Sequence, residues 1–378
     1  MKRTEEILIV DDKPANLKLL TQVLAGQGYR VRAAASGRHA LESVRASPPN
    51  LILLDIKMPD LNGYEVCETL KADALTCDIP VIFISALDDV QEKVRGFRVG
   101  GVDYITKPFQ VDEVLARVET HLGLRRLQKQ LQDNNQRMER ELQLAALTQA
   151  NFMPRELPEL DGWEISATLI PARETSGDFY DVFCLPGNLL GILVADVVDK
   201  GVAAALFMVL AWSLVRESAE QHADKPEQVF EIVNQKILSI MENLMYVTIF
   251  FGVLDMSTGL LKYANAGHPP GILCRKDGKL EHLAATGIPL GISEEQIWSQ
   301  KSIRFSPGDG MVLYTDGIIE AFNTLETMYG LNRLEAGITE HMDTSVSDLQ
   351  QEILTDVSRF LAGELPQDDV ALIVLKRQ

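Results

Sequence analysis

Short apolar runs and longer helical stretches alternate along the first 122 residues. The runs lie at residues 5–10, 51–54, 81–84 and 102–105, and most of them end at a polar residue. Between them, apolar side chains recur every three or four positions, beginning at Pro14, which suits the first turn of a helix. Strands that alternate with helices in this way predict a doubly wound parallel α/β sheet for residues 4–122.

Residues 123–153 have the composition and spacing of a long helical linker. They are rich in Leu, Gln, Glu, Arg and Ala, and residues 124–153 contain neither Gly nor Pro. Apolar residues spaced mostly three and four apart form a seam at Leu124, Leu127, Leu131, Met138, Leu142, Ala145 and Phe152. Such a seam, interrupted by Asn134, is typical of a two-stranded coiled coil and so of a homodimer. A single helix lying on a neighbouring domain has the same pattern.

Residues 154–378 contain many short apolar runs separated by hairpin-like turns, and only a few helical stretches. Runs such as 163–169, 179–185, 189–194 and 247–254 predict antiparallel strands, and the blocks of strands and helices predict an α+β layered β-sandwich. The apolar run at 202–215 is too short for a membrane span and is predicted to be a buried core helix. Residues 323–337 are predicted to be irregular, as a loop or a flap.

Composition narrows the classes of partner. The chain of 378 residues carries a formal net charge of −18, which argues against binding to nucleic acid or to an anionic membrane. Its four cysteines show no metal-binding spacing and indicate reduced thiols. No apolar secretory segment follows Met1, so we expect a cytoplasmic protein.

Polar residues stand at or just after the ends of the predicted strands in the first segment. They are Asp11, Asp12, Asp55, Ser85 and Lys107. The carboxyl ends of parallel strands meet at one edge of the sheet, so these side chains are expected to form one site. Clustered carboxylates favour Mg²⁺, and a carboxylate can attack phosphorus while a lysine neutralises the transferring group.

The first segment resembles a response-regulator receiver domain. The resemblance rests on VDD (10–12), DIKMPDLNG (55–63), ISA (84–86) and KPF (107–109). It implies a five-stranded fold, a histidine kinase as phosphodonor and Asp55 as phospho-acceptor. It also implies Mg²⁺ held by Asp11, Asp12, Asp55 and the Lys57 carbonyl, a switch pair of Ser85 and Tyr104, and a cis peptide before Pro108.

Acidic residues that lie far apart in the last segment each stand at the end of a predicted strand or in a tight turn. They are Asp178, Asp196, Asp316 and the pair Asp368 and Asp369. A single aspartate at such a place is usually a turn former. Together they predict a hard-metal cluster, because carboxylates without His or Cys select Mg²⁺ or Mn²⁺. Two such ions about 3.5–4 Å apart can activate a shared water toward phosphorus.

The last segment resembles the SpoIIE-like branch of the metal-dependent, PPM-type serine/threonine phosphatases. The matching stretches are SGDFYD (176–181), ADVVDKGVAAALFM (195–208), NAGHPP (265–270), LYTDGIIEAFN (313–323) and DDVALIVL (368–375). The resemblance implies two Mn²⁺ or Mg²⁺ ions bridged by Asp196. Asp316 and Asp368, with Asp369 as the alternative, would complete one ion, and Asp178 with the Val197 carbonyl the other.

Some positions depart from the pattern of this family. Ser176 stands where a glycine is usual, and Asp199 where a small residue is usual. Val198 replaces the histidine that eukaryotic relatives use as a general acid. His268 is a candidate for that role, although a turn-packing histidine is commoner. Arg173 is a candidate phosphate ligand, although a surface arginine is commoner.

The two resemblances together predict a response regulator whose phosphorylation at Asp55 controls a protein phosphatase. The implied substrate is a phosphorylated STAS-type anti-anti-sigma protein. The alternative is a catalytically inactive phosphatase-fold adaptor that binds a regulatory protein. Retention of all the candidate metal-binding aspartates favours the enzyme. A DNA-binding regulator is disfavoured because no basic recognition helix follows residue 122.

Overall fold

The computed structural model describes residues 5–86, 90–154, 156–241, 245–364 and 366–378. The chain divides into two compact units, Met1–Arg137 and Met138–Gln378. Residue 4, at which the predicted first domain begins, lies outside the described residues. The boundary between the units falls inside the segment that the sequence assigns to the linker.

The first unit is built on five parallel strands in the order β2-β1-β3-β4-β5. The strands are β1 (Glu6–Val10), β2 (Arg30–Ala34), β3 (Leu51–Asp55), β4 (Val81–Ser85) and β5 (Asp103–Thr106). They alternate with helices α1 (Pro14–Gly26), α2 (Gly37–Ala46), α3 (Gly63–Ala72), α4 (Val90–Arg98) and α5 (Val111–Ala150). The predicted doubly wound α/β fold is confirmed.

Helices cover both faces of this sheet, as the continuous apolar runs of its central strands require. One face packs against α1 and α5 through Leu20, Leu24, Val114 and Val118. The other packs against α2 and α3 through Ala40, Val44, Val66 and Leu70. Strand β3 is buried along its whole length and ends at Asp55. The packing therefore leaves the carboxyl ends of the strands as the edge on which a polar site can form.

Helix α5 is 40 residues long and includes most of the predicted helical linker. Apolar side chains of its seam are exposed: Leu124 by 52%, Leu127 by 65%, Leu131 by 62% and Met138 by 62%. Exposed apolar residues at these spacings are what the pairing of two such helices would bury. The long helix is confirmed, and the coiled coil stays a prediction.

The second unit contains two five-stranded antiparallel sheets. One has the order β13-β10-β9-β8-β7 and the other the order β12-β11-β14-β15-β6. The strands are β6 (Trp163–Ile170), β7 (Phe179–Leu185), β8 (Leu189–Val197), β9 (Val247–Asp255), β10 (Leu260–Ala266), β11 (Gly271–Cys274), β12 (Leu280–Leu283), β13 (Lys301–Arg304), β14 (Gly310–Tyr314) and β15 (Val370–Arg377). The helices are α6 (Val202–Gln221), α7 (Pro226–Ile240), α8 (Asp316–Ile319), α9 (Leu331–His341) and α10 (Val346–Phe360).

Three apolar cores hold these elements in four layers. The inner faces of the two sheets pack on each other, with Val182, Ile192 and Ile373 among the buried residues. The outer face of the first sheet packs on α6 and α7, and the outer face of the second packs on α9 and α10. Successive residues of β7 and β8 serve opposite cores, as the period of a strand dictates. The predicted layered α+β sandwich is confirmed.

Helix α6 is the one helix in the described part of the chain that could cross a membrane by its length and composition. Its buried residues, which include Phe207, Met208 and Val215, pack in the core beside the first antiparallel sheet. The helix therefore occupies the position of a core helix, as its small residues predicted.

The prediction of irregular structure for residues 323–337 is wrong from Leu331 onward, where α9 begins. Gly330 precedes this helix with a φ of 79°, a conformation that glycine adopts without strain. Leu334 and Ile338, one turn apart, are fully buried. Their spacing is the helical signal in a segment that the sequence analysis treated as a loop.

Candidate functional site

Three carboxylates of the first unit form an acidic cleft at the carboxyl ends of β1 and β3. Oxygens of Asp11, Asp12 and Asp55 all lie within 4.8 Å of one another. Asp11 and Asp55 are buried, and one buried oxygen of Asp12, Oδ1, has no hydrogen-bond partner. An unpartnered buried oxygen beside two further carboxylates suits a hard divalent cation. These residues therefore fit the predicted Mg²⁺ site.

Lys107 balances part of this negative charge. Its Nζ donates to Oδ2 of Asp11 at 2.9 Å and to Oδ2 of Asp55 at 2.7 Å. Burial alone would lower the pKa of Lys107, but the hydrogen bonds that it donates to the two carboxylates, together with their charges, outweigh burial and raise that pKa. The lysine is therefore held as an ammonium, next to the carboxylate that is predicted to accept the phosphoryl group.

Burial raises the pKa of Asp55, while the Lys107 ammonium opposes the shift. The backbone fixes this side chain closely. A Cβ on Gly63 would lie 2.4 Å from the Asp55 carbonyl oxygen, so only glycine fits at the end of the DIKMPDLNG motif. Asn62 and Glu65 form a capping box that begins α3 beside it. The motif is thus a tight turn that sets the carboxyl group at the sheet edge.

The predicted switch residues lie on neighbouring strands, β4 and β5. Ser85 ends β4 and is buried. Tyr104 is also buried, and its hydroxyl donates to the Glu92 carbonyl at 3.2 Å. A Cβ on Gly96 would clash with the Tyr104 hydroxyl, so this glycine makes room for the inward ring. The peptide bond between Lys107 and Pro108 is cis, as the sequence predicted.

The second unit places its motif aspartates at the ends of neighbouring elements. Asp178 directly precedes β7, and Asp196 is the next-to-last residue of β8. Asp316 is the first residue of α8, and Asp368 and Asp369 directly precede β15. Each residue stands where a strand or helix meets a turn, as expected for side chains that a sheet scaffold presents at one end.

Electrostatic interactions connect these aspartates. Burial raises the pKa of Asp178 well above its ordinary value, and the charges of Asp196 and Asp369 raise it further. Burial and the charges of Asp316, Asp368 and Asp369 raise the pKa of Asp196 to about 7. Burial and the charge of Asp368 raise the pKa of Asp316. The aspartates therefore interact electrostatically, and the metal site they were predicted to form stays a prediction.

The carboxylate oxygens of the second unit are less tightly grouped than those of the receiver cleft. Within the described residues, no three acids of the second unit offer oxygens that all lie within 4.8 Å of one another. Oδ2 of Asp178 is nevertheless buried without a hydrogen-bond partner. A buried carboxylate oxygen without a partner is one that a cation could satisfy.

The two adjacent acids before β15 have different surroundings. Asp369 is 4% exposed, and its oxygens accept the Ala172 N–H at 2.7 Å and the Gly177 N–H at 2.8 Å. Both oxygens of Asp369 thus hold the loop that leads into Asp178. The side chain of Asp368 is 43% exposed and pairs with Lys200. Asp368 is therefore the more accessible acid of this pair, although Oδ1 accepts the Asp369 N–H at 2.9 Å.

Thr315 and Gly317 were missed by the sequence analysis, although both lie in the YTDG motif. The Thr315 hydroxyl accepts the Ala371 N–H at 2.8 Å, and its interaction with Asp178 opposes the rise in the pKa of that acid. A Cβ on Gly317 would lie 1.9 Å from the Asp369 carbonyl oxygen. These two residues join the Asp316 turn to the Asp369 turn and so fix the spacing of the acids.

Gln149, near the end of α5, was also missed. Its Nε2 donates to the Ser176 carbonyl at 2.5 Å, and its Oε1 accepts the Ser176 N–H at 3.0 Å. The Gln149 side chain is buried, so these bonds replace hydrogen bonds to water. The last turn of α5 thus holds the backbone two residues before Asp178. The only sequence signal was a polar residue close to the apolar seam.

The remaining candidates divide into buried and exposed residues. His268 is buried, its ring contacts the Thr248 hydroxyl and the Tyr314 carbonyl, and burial lowers its pKa to about 3. A neutral ring with both nitrogens engaged favours the turn-packing role over that of general acid. Asp199 is exposed, as expected, with a φ of 78° that explains the preference for a small residue there. Arg173 is exposed, and phosphate binding by it stays a prediction.

The raised pKa of Asp196 predicts how the stability of the metal-free protein depends on pH. Its pKa is about 7 in the folded chain and 3.8 unperturbed. A raised folded pKa stabilises the fold below the unperturbed value, and that stabilisation is lost as pH rises through about 7. In EDTA, we therefore expect Asp196→Asn to raise the melting temperature at pH 8 and to leave it nearly unchanged at pH 4. Differential scanning calorimetry at both pH values measures this, and an equal effect at both would contradict the assignment.

Comparison with known families gives two matches along the chain. Residues 7–119 match the family described as response regulator receiver domain. Residues 186–378 match the family described as Stage II sporulation protein E, or SpoIIE. The two matches follow the two units of the structure, and each contains its acidic cluster apart from Asp178, which lies just before the second match.

Curated relatives cover different shares of the chain. Phosphoserine phosphatase RsbU of Bacillus subtilis is 30% identical over 261 residues, which are 69% of this chain and 75% of that protein. Protein IcfG of a Synechocystis species is 32% identical over 266 residues. That alignment spans 63% of this chain but only 41% of the length of IcfG.

Solved structures share the fold of the second unit. The SiaA-PP2C domain of Pseudomonas aeruginosa aligns with a TM-score of 0.59 and 18% identity, over 65% of this chain and 99% of that one. The RsbU and RsbW domains of Rv1364c from Mycobacterium tuberculosis align with a TM-score of 0.52 and 24% identity, over 60% of this chain and 63% of that one. At these identities the likeness concerns the fold alone.

Proposed function

Because the chain belongs to the SpoIIE family of PPM-type phosphatases and also carries a response regulator receiver domain, we propose that it is a phosphorylation-controlled protein phosphatase. In this proposal, Asp55 accepts a phosphoryl group from a histidine kinase. The second unit then hydrolyses phosphoserine or phosphothreonine on a regulatory protein. The observation that carries the proposal is the group of electrostatically coupled aspartates of the second unit.

Divalent cations fit this group, because the PPM family generally uses Mn²⁺ or Mg²⁺ and the donors here are carboxylates. We assign Asp196 as the bridging ligand, since its pKa responds to the acids on both sides of it. Asp316 and Asp368 complete one ion, and Asp178 belongs to the other. The Val197 carbonyl is assigned beside Asp178, because a Cβ on the neighbouring Gly177 would lie 3.1 Å from that oxygen.

Bound metal would supply an activated water and would offset the negative charge of the phosphoryl group. The protein's own residues keep the ligands in place. Asp369 holds the loop before Asp178 through two backbone N–H groups, and Thr315 ties the turn of Asp316 to β15. Asp369 therefore positions the ligands, and Asp368 is the ligand of the pair. With His268 neutral and enclosed, water is left to protonate the leaving alkoxide.

The receiver half of the proposal rests on its own cleft. Asp11, Asp12 and Asp55 fit Mg²⁺, with the Lys57 carbonyl as a further ligand. Lys107 lies 2.7 Å from Asp55 and would neutralise the transferred group. Ser85 and Tyr104 lie on neighbouring strands, β4 and β5, and we propose that they transmit phosphorylation of Asp55 to the face formed by α4 and β5. A change in that face would then alter the rotation or pairing of helix α5, which follows it in the chain.

Coupling between the two activities is proposed to run through Gln149. This residue lies near the end of α5, and its amide forms two hydrogen bonds with the backbone of Ser176. A rotation or altered pairing of α5 would move these two hydrogen bonds and with them the loop that carries Asp178. Phe152 adds a second contact, because its ring meets Trp212 on α6 with centroids 5.6 Å apart. Pairing of the exposed Leu124, Leu127 and Leu131 in a homodimer would set the resting position of α5.

The substrate is proposed to be a small phosphoprotein of the anti-anti-sigma type. Support comes from the likeness to RsbU, which is described as a phosphoserine phosphatase, across three quarters of that protein. The net charge of −18 agrees with a cytoplasmic protein that binds neither nucleic acid nor membrane. The alternative function, an inactive adaptor, lacks a specific observation in its favour, and the assay below separates it from the enzyme.

The test is phosphate release from a phosphoserine protein by the full-length chain, with Mn²⁺ or with EDTA. Each condition is run with and without beryllium fluoride, which mimics the phosphoryl group on Asp55. We expect turnover only with Mn²⁺ and a change of at least about threefold on adding the mimic. Asp55→Asn is expected to abolish the change but not the basal turnover. No turnover with Mn²⁺ would favour the adaptor, and equal rates with and without the mimic would exclude the control by Asp55.

A further inference from the structure

Lys200 is the cation that the structure places against the candidate metal ligands. It lies on the short connection between β8 and α6, four residues after Asp196. Its Nζ lies 2.9 Å from Oδ2 of Asp368 and donates to the Gln367 carbonyl at 3.0 Å. Its charge also opposes the rise in the pKa of Asp316 that burial and Asp368 cause. One ammonium thus stands at the rim of a site whose other charged groups are carboxylates.

The backbone of Lys200 is fixed more firmly than its side chain. Its N–H donates to Oδ1 of Asp199 at 2.8 Å, and Asp199 itself adopts a left-handed conformation. Gly201, with a φ of 85°, follows before α6 begins. The ammonium, in contrast, is at the end of a flexible chain that is 34% exposed. The residue can therefore keep its place in the loop while its charge changes partners.

A phosphorylated side chain that approaches this site is repelled by its carboxylates. The phosphate group carries close to two negative charges at neutral pH and must come near several aspartates. His268 is enclosed and neutral and therefore cannot offset this charge, and Arg173 is exposed. Lys200 is the described cation that already interacts with two of the candidate ligands.

We propose that Lys200 is a phosphate-binding residue of the second unit, and that its ammonium exchanges between Asp368 and the phosphate. This inference rests on the proposed function. When a metal ion binds Asp368, it competes with the ammonium for the same carboxylate oxygen. The ammonium is then free to contact a phosphate oxygen at the rim of the site. Lys200 thus has two partners of like charge, and metal binding decides between them.

Removing the ammonium should affect the two ligands in opposite directions. Lys200→Met deletes a competitor of the metal, so Mn²⁺ should bind at least as tightly as in the wild type. The same variant deletes a charge-assisted contact to phosphate, so inorganic phosphate should bind at least about tenfold more weakly. Lys200→Arg keeps the charge and should restore most of the phosphate affinity. A lysine that served only to stabilise the loop would not produce this opposite pair of effects.

The experiment is isothermal titration calorimetry on the full-length protein. MnCl₂ is titrated into metal-free protein, and inorganic phosphate is titrated into protein saturated with Mg²⁺. Lys301→Met is the matched control, because it removes one exposed lysine of the same domain from β13. Circular dichroism confirms that each variant is folded. The receiver cleft, the other predicted cation site of the chain, is the same in every variant, so differences between variants report on Lys200 whether or not the protein hydrolyses a phosphoprotein.

The proposal is supported if Lys200→Met weakens phosphate binding at least about tenfold and keeps or improves Mn²⁺ binding, while Lys301→Met changes neither. It is overturned if phosphate binding by Lys200→Met equals that of the wild type. It is also overturned if the variant loses Mn²⁺ affinity, since Lys200 would then support the metal site. A wild-type protein that binds no phosphate overturns it as well.

Discussion

Asp196→Asn is expected to lower Mn²⁺-dependent hydrolysis of a phosphoserine protein by at least about a hundredfold. Asp196 is assigned as the ligand common to both ions, and the charges of Asp316, Asp368 and Asp369 all act on it. Asparagine preserves the shape of the side chain but removes one negative charge and one metal-binding oxygen. The assay is phosphate release at saturating Mn²⁺, and calorimetric titration with MnCl₂ measures the accompanying loss of metal affinity.

The matched control for this variant is Asp199→Asn. It makes the same chemical change three residues away, at an exposed position where asparagine also tolerates the positive φ. We expect it to retain turnover within about threefold, because removal of a screened, exposed charge has a small effect. Undiminished turnover in Asp196→Asn, or an equal loss in both variants, would place the reaction elsewhere.

Gln149→Leu is expected to weaken Mn²⁺ binding about tenfold and to remove the response of turnover to beryllium fluoride. The leucine is similar in size but cannot bond either backbone group of Ser176. A buried N–H and a buried carbonyl would each lose their partner, at about 1–3 kcal/mol apiece. The loop before Asp178 would rearrange to regain hydrogen bonds. Calorimetric titration with MnCl₂ and the phosphate-release assay measure the two effects.

Gln143→Leu is the control for Gln149→Leu. Gln143 lies on the same helix and is exposed, so the substitution changes the helix surface without touching the loop. We expect it to leave metal affinity and the response to beryllium fluoride as in the wild type. If Gln149→Leu keeps the full response, the signal from Asp55 reaches the second unit by another route. The hydrogen bonds between Gln149 and Ser176 would then only stabilise the local structure.

Much of the receiver site was predictable, because the functional side chains of a parallel sheet lie at the carboxyl ends of its strands. Asp11 and Asp55 follow or end apolar runs, and Lys107 follows another. Strand β2 was not identified, because Arg30–Ala34 is an edge strand with polar, partly exposed residues. Its place in the sheet depends on pairing with β1, and the sequence of an edge strand carries little of that information.

In the second unit, the sequence identified the acids but not their separate roles. Asp368 and Asp369 are chemically identical neighbours, and their contacts in the fold distinguish them: Asp369 bonds the loop at Ala172 and Gly177, and Asp368 pairs with Lys200. Strand β12 (Leu280–Leu283) was missed because it is short and pairs across a turn with β11. Gln149 and Lys200 act on residues far from them in sequence. Such roles depend on tertiary contacts, which a motif does not record.

The most direct test of the central claim is anomalous diffraction from crystals of the protein grown with Mn²⁺. The account predicts two manganese peaks in the second unit, with Asp196 touching both. Asp316 and Asp368 should bind one ion, and Asp178 the other, while Asp369 keeps its bonds to the backbone. Absence of manganese among these aspartates at saturating concentration, with the side chains directed to separate surfaces, would contradict the account.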